Sequence, residues 1–526
     1  MTSDLKSGFA ALQTGQAQRA LEIARSLGDD PNARYLEGLA LRALGDSEAA
    51  FDLFAALSAA HEHIADFANM EGLCAGDLDR LDAARAAFDR ALAAHPQFVN
   101  APFNLGRILA NAGELKAAAD AYRTALEIKP DHLPSLRNLS HVLELAHEAD
   151  AAEEAADSAL KLAAGDALAL AVKAAAMIRR GAHHDAADLI RKRLSPNAPA
   201  TNAALALGRA GEALEKAGDY EAAFSAFSAA NQKLKSQYAG TYANITNGFA
   251  LERVKKLSQW PGLPIDADSG CEMPAPVFLV GFPRSGTTLV ENVLAAHPGI
   301  VTSDEAQLSA PLIEAAGDTL DDWRQFIESM PESRASLRRT YWQGWPGGVP
   351  ENNVFIDKLP LNLAYAGLLA AVFPDAKFIL ALRDPRDCVL SAYKQRFGMN
   401  AAMFRMLTMP GAAAYYDAAM RVGTAALDRV PEAQRIEIRY EDCVADLEAE
   451  ARRLVRFLDL DWSDDVMAYR EQAKTRAIST PSASQVVQPI YESAAGRWRH
   501  YDFALAAVRP ILDPWAQRWG YDERGL

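Results

Sequence analysis

The sequence predicts two architectures in one chain: an all-α solenoid of stacked helix pairs, followed by an α/β domain built on a parallel sheet. Three observations predict this. Small residues recur every 34 positions through the first 235 residues, short β-rich runs alternate with helical patterns after residue 276, and a glycine-bearing turn joins the first of those runs to a helix.

Composition sets the bounds. A chain of 526 residues with 50% hydrophobic content has room for two to four domains at roughly 100–200 residues each. The four cysteines, Cys74, Cys271, Cys388 and Cys443, are far apart and form no CxxC pair. That pattern fits neither a zinc site nor a disulfide framework and points to a reducing compartment. The N-terminus lacks the charged-then-apolar order of a signal peptide, and no apolar run approaches the ~20 residues that a spanning helix needs. The chain therefore reads as cytoplasmic, with no membrane partner. A net charge of −15 argues against nucleic acid, which requires a broad basic surface, so cations that handle an anionic ligand must be local to a pocket.

The first element is the repeat array. Gly38, Gly72 and Gly106 stand 34 residues apart, and Ser140 and Ala174 continue the step. A second series, Ala50, Ala84, Ala118, Ala152 and Ala186, keeps the period twelve positions on. Gly45, Gly113 and Gly181 mark turns between paired helices, and Pro96 and Pro130 close two units. Small residues where two helices touch, a turn between them and a closing proline resemble the tetratricopeptide repeat. Degenerate units carry Gly8, Gly15 and Ala20 at the front and Gly211, Gly218 and Ala223 at the back. Residues 1–235 thus read as a tetratricopeptide-repeat solenoid of about seven repeats, whose concave face takes a protein or peptide partner.

Residues 236–275, rich in turn formers, read as a linker or docking segment. Beyond them, strands are expected at 276–280, 353–357, 377–382 and 435–440, alternating with helices in βαβ fashion, with sites at the strands' carboxyl ends. The segment GFPRSGTT, Gly281 to Thr288, is the strand-to-helix turn. Its backbone N–H groups and the following helix N-terminus suit a phosphate or sulfate ester. It keeps the spacing of a nucleotide triphosphatase loop, but Thr287 stands where that loop has lysine, which argues against ATP with magnesium and for an anion without a metal. Further on, Arg383 ends a strand, Pro385 occupies the first turn of a helix, and Ser391 follows eight residues after Arg383. Taken alone, Arg383 followed by Asp-Pro-Arg-Asp reads more readily as a surface ion-pair cluster than as a ligand site.

Together, a phosphate loop without its lysine and a later strand-Arg-x7-Ser resemble the sulfotransferase family, and residues 276–526 read as a P-loop-like sulfotransferase domain. The resemblance implies 3′-phosphoadenosine 5′-phosphosulfate as co-substrate. It places Arg284, Ser285, Gly286, Thr287 and Thr288 at the 5′-phosphosulfate and Arg383 with Ser391 at the 3′-phosphate. The closer likeness is to the protein-tyrosine sulfotransferases: Arg284 in the loop, Lys358 in Asp-Lys-Leu-Pro, and Glu305 twenty-one residues after Arg284. Tyr440 resembles a cofactor-contacting tyrosine, and Ser482 with Arg497 resemble the late cofactor loop.

On that reading Glu305 is the general base, while Arg284 and Lys358 stabilise charge during in-line transfer without a metal. Other readings of the same residues stay open. Lys358 could pair with Asp357, Ser303 could cap a helix with Asp304 and Glu305 in its first turn, and Asp304 could replace Glu305 as base. Tyr440 could be strand-end core. His297 and Trp498 read as packing residues. The acceptor hydroxyl belongs to a tyrosine, a glycan or a small metabolite. Two other functions remain to be weighed: a repeat scaffold with an inactive transferase domain, and a P-loop kinase or NTPase.

Overall fold

The computed structural model describes residues 3–257, 273–350, 353–471 and 495–521. The chain divides into two compact units, Met1–Gly218 and Asp219–Leu526.

The first unit is a solenoid of paired helices, running from Ser3–Gln13 to Ala200–Lys216. Its 34-residue period has a packing cause. A Cβ added at Gly38 would lie 2.5 Å from the Phe54 ring, at Gly72 2.8 Å from Phe88, and at Gly106 2.7 Å from Tyr122. Each glycine therefore seats an aromatic ring sixteen residues on, in the second helix of its pair. In the next two repeats the corresponding residues are Ala156 and Ile190, smaller than a ring, and Ser140 and Ala174 replace the glycine. The alanine series Ala50, Ala84, Ala118, Ala152 and Ala186 is 0% exposed throughout. Gly45, Gly113 and Gly181 turn at φ of 88, 80 and 81°. The positions between them in the same register, Asp79 and His147, adopt φ of 55 and 63° without being glycine, so the turn is a property of the repeat.

Gly72→Ala is expected to destabilise the solenoid by about 1–3 kcal/mol, because the added methyl meets a ring that is 1% exposed and has nowhere to go. Urea unfolding of the full chain measures this. A loss that persists in the Phe88→Leu background would show that the ring is not the cause.

The second unit is organised by a five-stranded, all-parallel sheet. In chain order its strands are β1 (Val277–Gly281), β2 (Ile300–Thr302), β3 (Val354–Lys358), β4 (Lys377–Leu382) and β5 (Arg435–Arg439). Their spatial order is β2-β3-β1-β4-β5, which puts β1 at the centre. The register pairs Leu279 with both Lys358 and Ile379, so the carboxyl ends of β1, β3 and β4 lie side by side. Alternation along the strands covers both faces. Val277, Leu279, Ile356, Ile379 and Ile438 pack with the helices Thr287–Ala295 and Leu447–Phe457. On the other face the Phe278 ring meets Tyr341, Phe373 and Phe378. The edge strand β2 is additional to the four expected from sequence, because three residues are too few to show a period.

The boundary expected at 235 falls earlier. Helix Tyr220–Tyr242 lies in the second unit, where the Ser228 hydroxyl is 2.8 Å from that of Tyr393, Asn231 donates to the Tyr393 carbonyl at 2.8 Å, and Tyr220 stacks on His500. The stretch read as a linker from 236 is likewise folded as far as it is described. Helix Leu251–Leu257 buries Leu251, Val254 and Leu257, and its Arg253 donates to the Ile313 carbonyl at 3.1 Å. Residues 258–272 lie outside the described residues. Among those described, no helix is long and apolar enough to cross a membrane, and Cys74, Cys388 and Cys443 are buried free thiols.

Candidate active site

The turn after central strand β1 is shaped by two close approaches. A Cβ at Gly281 would lie 2.6 Å from both the Ala381 carbonyl of β4 and the Ser285 hydroxyl. Gly286 has φ of 98°, and a Cβ there would lie 2.9 Å from the Tyr440 ring. Between them Arg284 holds φ of 75°, a left-handed conformation that a residue with a side chain adopts at a cost. Helix Thr287–Ala295 then begins with Thr287 and Thr288 buried.

Three residues far apart in sequence converge on this turn. Arg284 Nε donates to the Ser391 hydroxyl at 3.1 Å, and Arg383 Nη1 donates to the Arg284 carbonyl at 3.2 Å. The Arg383 guanidinium lies 4.8 Å from the Tyr440 ring centroid. Ser391 is carried there by helix Pro385–Lys394, which Asp384 caps by accepting from the Arg386 N–H at 2.9 Å. Burial, reinforced by the Arg383 charge, lowers the Arg284 guanidinium to about 10. Burial raises the Tyr440 phenol, and Arg383, Arg284 and Arg497 pull it the other way. Cations gathered beside a glycine turn and a helix N-terminus suit an anionic ligand. The Ser285 hydroxyl, 2% exposed, has no hydrogen-bond partner among the described residues, which fits a cradle whose last contact is a ligand oxygen.

A second cluster forms at the ends of β2 and β3. Lys358, 0% exposed, places its ammonium 3.0 Å from Glu291, 2.9 Å from Glu305 and 3.5 Å from Asp304. Burial pulls this lysine's pKa down, but the three carboxylates outweigh it and the net direction is up, so the ammonium stays charged. Burial raises the Glu291 carboxyl, against the pull of Lys358. Asp304 and Glu305 take φ of 44 and 66°, and the turn is pinned to β3 by Ser303 N–H to the Ile356 carbonyl at 3.1 Å and Glu305 N–H to the Lys358 carbonyl at 3.0 Å.

The geometry separates two of the alternatives left open above, the pairing of Lys358 with Asp357 and the Ser303 cap. Successive β3 side chains point to opposite faces, so Lys358 reaches Glu291 while Asp357 reaches Tyr341, whose hydroxyl donates to it at 2.8 Å. The lysine's ion pairs are with Glu291, Asp304 and Glu305, not with Asp357. Ser303 caps no helix: its hydroxyl donates to Asp357 at 3.2 Å and accepts from the Lys358 N–H at 3.1 Å. His297 is a packing residue, with Nδ1 accepting from the Gly299 N–H at 3.0 Å and Nε2 donating to the Asp461 carbonyl at 2.8 Å. Trp498 is core, with Arg386 3.9 Å from its ring centroid.

Arg284, Ser285, Gly286, Thr287, Thr288, Arg383, Ser391 and Tyr440 share the turn, and Lys358 with Glu305 the neighbouring cluster. Arg497 is exposed on a turn that Asp387 clamps, accepting from Gly496 N–H at 2.6 Å and Trp498 N–H at 2.8 Å. Ser482 lies outside the described residues. Sequence reasoning missed Glu291 and Asp387. The signal for Glu291 was an acid on the otherwise apolar face of Leu-Val-Glu-Asn-Val-Leu; Asp387 was hidden among neighbouring charges.

Asp357 makes a pH prediction. Burial raises its carboxyl from 3.8 to about 6. Below about pH 4 it is protonated folded and unfolded; between 4 and 6 the unfolded chain ionises first, so folding stability falls by about 3 kcal/mol and the loss is complete above pH 6. Thermal unfolding from pH 4 to 7 should show this decline, and Asp357→Asn should remove that component. An unchanged slope in the variant assigns it to other groups.

Residues 276–464 match the model of the Sulfotransferase family and residues 69–132 that of the Tetratricopeptide repeat. An uncharacterized protein of Aquifex aeolicus is 27% identical over 57% of this chain; the match spans 40% of that protein's length. Protein-tyrosine sulfotransferase A of Caenorhabditis elegans is 27% identical over 49% of this chain and 70% of its own. Protein-tyrosine sulfotransferase 1 of Danio rerio is 27% identical over 47% of this chain and 72% of its own. Among solved structures, that of MamA aligns with 30% of this chain and 93% of its own at 19% identity and a TM-score of 0.27.

Proposed function

For a chain that joins tetratricopeptide repeats to a sulfotransferase domain, we propose transfer of a sulfuryl group from 3′-phosphoadenosine 5′-phosphosulfate to an acceptor hydroxyl, with tyrosine of a protein or peptide as the acceptor. One observation carries this reading: Arg284, Arg383, Ser391 and Tyr440 meet around the glycine turn of the central strand. The tyrosine acceptor is supported by the names of the relatives aligned with about half of the chain. The repeats recruit the acceptor or a partner protein, in keeping with what stacked helical repeats do elsewhere.

When bound, the co-substrate supplies an activated sulfuryl group with the adenosine bisphosphate as leaving group. Arg383 and Ser391 hold the 3′-phosphate by charge-assisted and neutral hydrogen bonds. The amides of Ser285 to Thr288, with the Ser285 hydroxyl, cradle the 5′ side. Arg284, between the two, offsets charge developing on the bridging oxygen, and Lys358 does the same from β3. Glu305, half-buried, takes the proton of the attacking hydroxyl, which a phenol of pKa ~10 would otherwise retain at neutral pH. Strain in the backbone at Arg284, Asp304 and Glu305 fits groups held in place for chemistry.

Thermal unfolding of the full chain with 3′-phosphoadenosine 5′-phosphate, against ATP with magnesium, tests the donor. A ligand at 100 times its Kd adds about 2.7 kcal/mol. Stabilisation by the bisphosphate alone is expected, followed by transfer of labelled sulfate to a tyrosine peptide. Stabilisation only by ATP with magnesium would replace this reading with a kinase or NTPase, and a response to neither would favour a repeat scaffold.

A further inference from the structure

Glu291 makes none of the contacts by which the loop would hold the donor, yet it is buried, 1% exposed, on the helix that the loop opens. Its two oxygens serve different neighbours. Oε1 accepts from the Thr302 hydroxyl of β2 at 2.9 Å, and Oε2 lies 3.0 Å from the Lys358 ammonium of β3. The same ammonium is 2.9 Å from Glu305. A chain of charge therefore runs from the helix, through the end of β3, to the turn after β2. An ionisable carboxyl buried at a helix–sheet contact is costly where an apolar side chain of similar size would pack. Its retention needs a reason other than filling space.

We infer that Glu291 is a positioning residue: from the helix that the loop opens it holds the Lys358 ammonium in place beside Glu305 and takes a share of its charge. This rests on the reading of Glu305 as the base. The charged groups facing the pair are Lys358 from β3, Asp304 from the same turn as Glu305, and Asp357 on the opposite face of β3. With Glu291 in place, one ammonium is shared by three carboxylates. Without it, the ammonium loses its partner on the helix and its charge falls on Asp304 and Glu305 alone.

The test is sulfate transfer by the full chain across pH 5–9 for wild type, Glu291→Gln and Glu291→Asp, each also melted with 3′-phosphoadenosine 5′-phosphate. Glu291→Gln is expected to keep the bisphosphate-induced shift, lower kcat by about 10- to 100-fold, and move the acid limb of the kcat profile to lower pH. Glu291→Asp should move the limb back towards wild type. A Gln variant with the wild-type kcat and limb overturns the inference, as does one that loses bisphosphate binding together with activity, since Glu291 would then serve the donor site. A wild type that neither binds the bisphosphate nor transfers sulfate overturns the sulfotransferase reading itself. Should the Gln variant fail to fold, Thr302→Val removes the hydroxyl on Oε1 and keeps the charge; it is expected to lower kcat without moving the limb, and wild-type kcat in that variant rejects the positioning role.

Discussion

Glu305→Gln is expected to lower kcat by about 10²–10⁴, the usual contribution of a positioned general base, while leaving the thermal shift with 3′-phosphoadenosine 5′-phosphate unchanged. The reasoning is local. Glu305 is on the turn after β2 and contacts Lys358 at 2.9 Å, whereas the Arg284, Arg383 and Ser391 cluster is assembled from β4, its following helix and the loop after β1. Removing the carboxylate charge should therefore spare the nucleotide. The amide can still accept a hydrogen bond from Lys358 but cannot take a proton at neutral pH, so the loss should fall on kcat. Asp304, 3.5 Å from the same ammonium, is the rival for the role. Glu305→Gln with near-wild-type kcat, and Asp304→Asn without it, would transfer the assignment to Asp304.

Lys358→Met is expected to abolish transfer and also to destabilise the fold by about 3 kcal/mol at neutral pH, because it leaves Glu291, 1% exposed, as an uncompensated buried acid. The effect has a pH signature that simple loss of packing would lack. Without the ammonium, the folded-state pKa of Glu291 rises further above its value in the unfolded chain. The penalty is thus full at neutral pH, shrinks as pH falls through that raised value, and vanishes near the ordinary glutamate pKa of ~4.3. The difference in Tm between wild type and variant should narrow from pH 7 to pH 4. A difference that stays constant over that range would mean that the lysine acts through its volume alone.

Much of the fold was legible because its causes are local or strictly periodic. The 34-residue step is visible in Gly38, Gly72 and Gly106 since each must admit a ring from the next helix, and a clash at 2.5 to 2.8 Å excludes any larger residue. Four of five strands were legible, β1, β3 and β4 as apolar runs that are buried on both faces and β5 by the alternation of Ile436 and Ile438 with charged residues; β2, three residues at the edge, carries no such pattern. The domain boundary was not legible. Helix Tyr220–Tyr242 has the alanine spacing of a repeat helix, but Tyr393 and Met399, more than 150 residues away, receive its polar side chains.

The candidate site divides in the same way. The sequence by itself determined a glycine turn between a strand and a helix, a loop without the lysine of a nucleotide triphosphatase, and a set of charged residues at the ends of predicted strands, because loop chemistry and strand ends follow from neighbouring residues. Only the tertiary structure decided who pairs with whom. Arg284 meets Ser391 across 107 residues because β1 and β4 are adjacent, and Lys358 turns from its neighbour Asp357 to Glu291, Asp304 and Glu305 because β-strand side chains alternate. Electrostatic pairing depends on distance in space, which strand order and face set and which separation along the chain does not.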